Sequence, residues 1–168
     1  MAVGKKTAAG HAGSGNAGPK GSAFPAYQGQ EEFFMKRSEI NAALKEMEQM
    51  IREYRFAIPP FCNFTPEEWK EKGHDYDEIR DNMLGWDITD YGLGDFDKVG
   101  FSLITIRNGN LKMKDKYTKT YAEKLLYIKE GQYSPMHFHW SKMEDIINRG
   151  GGNVLIRVYN STKDEDLD

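Results

Sequence analysis

The apolar residues of this 168-residue chain change period once, and that change limits what the chain can fold into. Ile40, Leu44, Met47, Ile51 and Tyr54 recur three and four residues apart, which draws one apolar stripe along a helix. Ser38 is placed to cap that helix and Pro59-Pro60 to stop it. A second, short helix is signalled by Thr65-Pro66-Glu67-Glu68: a capping oxygen, a proline for the first turn and a glutamate at the capping-box position. Gly73 is its expected terminator. After these helices the pattern becomes that of strands. Lys98 to Arg107 is rich in β-branched and aromatic residues and runs into Asn108-Gly109-Asn110, a turn signal. Tyr121 to Lys129 reads as a strand closed by Glu130-Gly131. Met136 to Trp140 reads as a short extended piece, and Asn153 to Tyr159 as a strand after the Gly150-Gly151-Gly152 turn. Strands at such intervals predict a sandwich or barrel. The expected fold class is therefore mainly β, with two helices ahead of the β-rich core.

Residues 1–34 are unlike the rest. They hold seven of the 17 glycines and few large apolar side chains, too few to offset the entropy of ordering them. They are read as a flexible leader, either a natural arm or, as favoured here, an addition ahead of a natural start at Met35-Lys36-Arg37. Residues 35–168 are the expected domain. The net charge of -3 leaves no polybasic footprint, so nucleic acid is not expected as a partner. Cys62, the only cysteine, excludes an intrachain disulfide and a multi-cysteine zinc site. No run is apolar enough for a membrane span or a signal peptide, so a cytoplasmic location is expected. Mean hydropathy is low at -0.72, in part because of the leader.

One constellation carries chemistry. On an extended strand, residues i and i+2 share a face, so His137 and His139 present two imidazoles on one side, about 7 Å apart along the chain. Glu144 follows past a turn and can return a carboxylate to the same point. Two histidines and one carboxylate suit a divalent first-row metal: iron, manganese, nickel or zinc. A bare His-x-His could equally be a solvent-facing pair on an edge strand. The wider spacing, Gly131, five residues, His137, one, His139, four, Glu144, six, Gly151, resembles the first signature motif of the cupin superfamily, small β-barrels with a metal at the barrel mouth. Each glycine permits a tight turn beside the ligand segment.

The resemblance extends along the chain. Asp77-Glu78-Ile79, the stretch Asp81 to Asp90 with Trp86-Asp87 inside it, Thr105 to Gly109, Tyr121-Ala122-Glu123-Lys124 and the stretch His137 to Asn153 resemble the D-lyxose isomerase family, from Met35 to about Thr162. That resemblance implies a cupin-like β-barrel (jelly roll) behind two N-terminal helices. It also implies a cytoplasmic, homodimeric, manganese-dependent enzyme that interconverts D-lyxose and D-xylulose, with D-mannose and D-fructose as further sugars. His137, His139 and Glu144 would hold the Mn2+. Isomerisation moves hydrogen between C1 and C2 of an open-chain sugar, and a metal polarises the carbonyl while a base takes a proton. Lys124 is the candidate catalytic residue. It is in phase with Ala122, Leu126 and Ile128, and a lysine on a core-facing parity needs an anion or a ligand oxygen. The opposite phase would leave Lys124 in water.

Weaker candidates are Trp86, Asp87 and Asp90, which could also serve a dimer interface or loop structure. Trp140 and Lys142 flank the ligands and could do no more than shape the wall. His74 reads as a surface residue. The chain departs from the family pattern in one respect. No histidine follows His139, so the second cupin motif, with its further metal-ligating histidine, is missing. The barrel is thus expected to be incomplete, in a fragment or a natural short form. The alternative function is a non-catalytic metal- or sugar-binding cupin module. A two-histidine, one-carboxylate iron oxygenase is a third class.

Overall fold

A computed structural model describes residues 35–139, 142–160 and 162–164. The expected leader, residues 1–34, lies outside the described residues. The chain divides into two units, Met1–Pro135 and Met136–Asp168.

The first unit begins with α1, Arg37–Glu53, whose stripe is buried as expected at Leu44, Met47 and Ile51. Both of its ends differ from the expectation. Lys36, not Ser38, is the N-cap, and the Glu39 carboxylate accepts a hydrogen bond from the Lys36 N–H at 2.7 Å. The helix also stops well before Pro59-Pro60. Arg55 takes a left-handed conformation (φ 51°). Its N–H donates to the Arg52 carbonyl, and the Phe56 N–H reaches back to that of Ile51. This is a Schellman ending built on a residue other than glycine, with Phe56 and Ile51 supplying its apolar contact. Tyr54, the last residue of the expected stripe, is therefore the C-cap and is exposed. Pro60 instead opens a 3-10 turn, Pro60–Asn63.

The second helix, α2 (Pro66–Glu71), forms as read. The Thr65 hydroxyl accepts from the Glu68 N–H, and the Glu68 carboxylate accepts from the Thr65 N–H at 2.7 Å. Its C-cap is Lys72 rather than Gly73. A 3-10 turn at His74–Tyr76 and a third helix, α3 (Asp77–Asp81), follow. Phe64, Trp69 and Tyr76 meet edge to face, with the Lys72 ammonium 4.3 Å from the Phe64 ring centre and 5.1 Å from that of Tyr76.

Three strands, β1 (Gly85–Thr89), β2 (Phe101–Arg107) and β3 (Glu123–Tyr127), form an antiparallel sheet in that order. The register aligns Trp86 with Ile104 and Ile104 with Leu125. Directly paired residues share a face, so these three lie on one side. Met47 and Ile51 of α1, Cys62, Phe61 and Tyr127 complete that core. The Trp86 indole N–H donates to the Cys62 carbonyl at 2.8 Å. Burial pushes the Cys62 thiol up to about 12, so it stays protonated at neutral pH.

The other face of the sheet carries Leu103 opposite Leu126, and Thr105 opposite Lys124. Leu103 and Thr105 are buried, as residues of a central strand, whereas Leu126 and Ile128 are exposed. This reverses the expected phase of the third strand: Leu125 and Tyr127 face the helix-covered core, while Lys124, Leu126 and Ile128 do not.

Asn108-Gly109-Asn110 begins a long connection rather than a tight hairpin. Buried Asn82 donates to the Asn108 carbonyl, and its side-chain oxygen accepts from Asn110. Lys116 and Tyr117 both bond the Asp81 carboxylate, at 2.9 and 2.6 Å, and Lys119 pairs with Glu78. A side chain at position 109 would run into the Lys119 carbonyl, which is why glycine stands there.

The described residues of the second unit contain no helix or strand. The strand expected at 153–159 is not formed there, and residues 136–139 carry no strand pairing. A strand needs a hydrogen-bonded neighbour, and residues 153–159 have no ladder among the described residues. Leu155 is 95% exposed, and Val154, Ile156, Val158 and Tyr159 are exposed as well. The described fold is thus a three-stranded sheet with helices, a mixed arrangement rather than the mainly β one expected. No described helix is long and apolar enough to cross a membrane.

Candidate metal centre

The second unit holds the three residues that the spacing picked out. The His137 and His139 rings meet edge to face with centroids 5.1 Å apart. The chain then returns Glu144 so that its Oε2 lies 3.4 Å from His139 Nε2. One donor atom from each of the three residues lies within 4.8 Å of the others. Two ligands held about 2.1 Å from one ion can be at most about 4.2 Å apart, so a small closure of the side chains brings all three onto a single ion. Two imidazole nitrogens and one carboxylate oxygen form a donor set suited to a first-row divalent metal. The residues present therefore fit such an ion. All three are exposed.

Three of the glycines near these residues in sequence take positive φ. Gly131, in the first unit, has φ 81° beside a turn closed by Gln132 N–H to the Lys129 carbonyl. Gly150 and Gly151 also have positive φ. The Asn148 side chain accepts from the Gly150 N–H and donates to the Gly152 carbonyl at 2.7 Å.

Lys142 was read as a wall residue. Its ammonium meets Oε1 of Glu144, a direct ion pair that the sequence reading missed. The Lys-x-Glu spacing was the available signal, since residues two apart on an extended chain share a side. That ammonium, with the His139 and His137 rings adding to it, holds the Glu144 carboxyl below its ordinary value against the opposing effect of desolvation.

The remaining candidates divide by environment. Lys124 belongs to the first unit and is exposed on the sheet face away from α1, the opposite of the core-facing phase expected for it. Trp86 is a core residue, and Asp90 is loop structure: its carboxylate accepts from the N–H groups of Gly92 and Gly94 at 2.8 and 3.0 Å. Asp87 accepts from the Ile88 N–H. His74 is fully exposed beside Asp77, as expected of a surface residue. Trp140 lies outside the described residues.

The chain is similar in sequence to known proteins. A family model described as "D-lyxose isomerase" matches residues 35–168. The D-lyxose/D-mannose isomerase of Escherichia coli O157:H7 is 42% identical over 132 residues, covering 78% of this chain and 58% of that protein. The D-lyxose/D-mannose isomerase of Serratia proteamaculans is 42% identical over 134 residues, covering 79% and 58%. The chain thus spans less than two thirds of the length of these relatives.

Proposed function

The chain belongs to the D-lyxose isomerase family, and from that premise we propose that it serves a metal-dependent aldose–ketose isomerase in which His137, His139 and Glu144 hold Mn2+. The observation that carries the proposal is the convergence of these three donors inside the family match. The sugars proposed are D-lyxose with D-xylulose, and D-mannose with D-fructose. The relatives' names mention lyxose and mannose. The proposed fold of residues 35–168 is the N-terminal part of a cupin-like barrel, whose wall would include the three-stranded sheet. A homodimer, a cytoplasmic location and a leader at 1–34 belong to the same proposal.

When bound, the metal would supply Lewis-acid polarisation of the sugar carbonyl. The two imidazoles and the carboxylate orient that centre, and their single negative charge leaves the ion net positive toward sugar oxygens. Lys124 would bind a sugar oxygen and steady negative charge as it develops during proton transfer. Lys124 is exposed on a face it shares with Leu126 and Ile128, away from α1.

The test is conversion of D-lyxose to D-xylulose by the chain with added manganese. Activity lost in Lys124→Met and in His137→Ala, with folding retained, supports the proposal. A chain that holds manganese but leaves both lyxose and mannose unchanged supports the binding module instead. Oxygen uptake with Fe(II) would favour the oxygenase.

A further inference from the structure

The two oxygens of Glu144 have different neighbours. Oε2 lies 3.4 Å from His139 Nε2, on the side of the imidazoles. Oε1 is taken by the Lys142 ammonium. Both side chains are about half exposed (50% for Lys142 and 44% for Glu144), and an ion pair in that setting contributes little to folding. Its effect is on orientation. A carboxylate has one bond about which its two oxygens can exchange places, and it can meet a cation with one oxygen or with both. An ammonium resting on Oε1 stops the exchange and opposes the second mode.

We propose that Lys142 is a positioning residue: it occupies Oε1 of Glu144 and leaves Oε2 as the one oxygen offered to the metal. This rests on the reading that His137, His139 and Glu144 hold a divalent ion. A carboxylate bound through both oxygens fills two coordination positions, and one bound through Oε2 alone fills one. Lys142 thereby keeps a position open for a sugar oxygen, which a catalytic metal site needs. It also fixes the carboxylate before the ion arrives. Lys142 itself does not bind the ion. Partners of this kind, one bond removed from a metal, typically change affinity by about 10- to 100-fold when mutated.

The experiment uses the full chain and two variants, Lys142→Met and Lys142→Arg, titrated with Mn2+ and examined by the visible absorption of bound Co2+. The methionine keeps the length and apolar stem of lysine but cannot hold Oε1. The expected result is a changed Co2+ spectrum as the second carboxylate oxygen enters the coordination sphere, with Mn2+ affinity changed by up to about 10- to 100-fold. Arginine can still donate to Oε1, so Lys142→Arg should return both affinity and spectrum toward those of the parent. A Lys142→Met chain that binds Mn2+ as tightly as the parent, or more tightly, with an unchanged Co2+ spectrum overturns the proposal. So does a Lys142→Arg chain that behaves like Lys142→Met. If the parent chain binds neither ion, the metal-centre reading falls and this proposal with it, a result distinct from parent and methionine chains that bind equally.

Discussion

The two units use apolar residues in opposite ways. In the first, α1 lays Leu44, Met47 and Ile51 into a core completed by Trp86, Ile104 and Leu125, and every strand has a neighbour. In the second, Val154, Leu155, Ile156 and Val158 stand exposed without a ladder among the described residues, yet this unit brings His137, His139 and Glu144 together. Packing and chemistry are therefore separable here. Helix caps and paired strands build the first unit, whereas the three donors of the second lie close together in sequence.

That comparison can be broken most sharply by truncating one apolar residue in each unit. Met47→Ala, at a position with no exposure, should lower stability by about 2–5 kcal/mol. Leu155→Ala should stay within about 0.5 kcal/mol. Denaturant unfolding of both variants checks this, and a comparable loss at Leu155 would contradict the exposure found there. A smaller effect is expected in the polar network of the first unit. Asn82→Ala strips the Asn108 carbonyl and the Asn110 amide of a buried partner and should cost about 1–3 kcal/mol. The loss should show as faster hydrogen exchange in residues 108–122 and leave the second unit unaltered.

The smallest effect is one of pH. The Tyr117 hydroxyl, and next the Lys116 ammonium, hold the Asp81 carboxyl below its ordinary 3.8 against desolvation. A carboxyl lowered on folding contributes stability that is complete above its unfolded value and fades as pH falls through the folded one. The 108–122 connection should therefore loosen only on acidification below about 3.8. Hydrogen exchange followed down the pH scale checks the direction, and Asp81→Asn should abolish the dependence.

Local signals in the sequence were read well where the physics is local. The Thr65-to-Glu68 capping box needs four consecutive residues, and it forms as expected. The His137, His139 and Glu144 spacing lies within eight residues, and the three donors do converge. Signals that depend on distant partners were read less well. Period-two alternation separates Leu125 and Tyr127 from Lys124 and Leu126, but both sets are mixed. Only the docking of α1 decides which set meets the core. The short strand β1 was not foreseen. Its five residues interleave Trp86 and Ile88 with Asp87, and its pairing with β2 is a tertiary matter. Arg55 ends α1 in a left-handed conformation that its residue type does not announce. The apolar run at 153–159 has a strand's composition without a strand's neighbour among the described residues.

His137, His139 and Glu144 of the second unit are proposed to form a single-ion site. Its most direct test is the Mn2+ content of the chain after dialysis against a known free concentration, compared with that of His137→Ala. One ion per chain is expected in the parent and loss of it in the variant, with far-ultraviolet circular dichroism unchanged. Equal Mn2+ in both, or none in the parent, would contradict it.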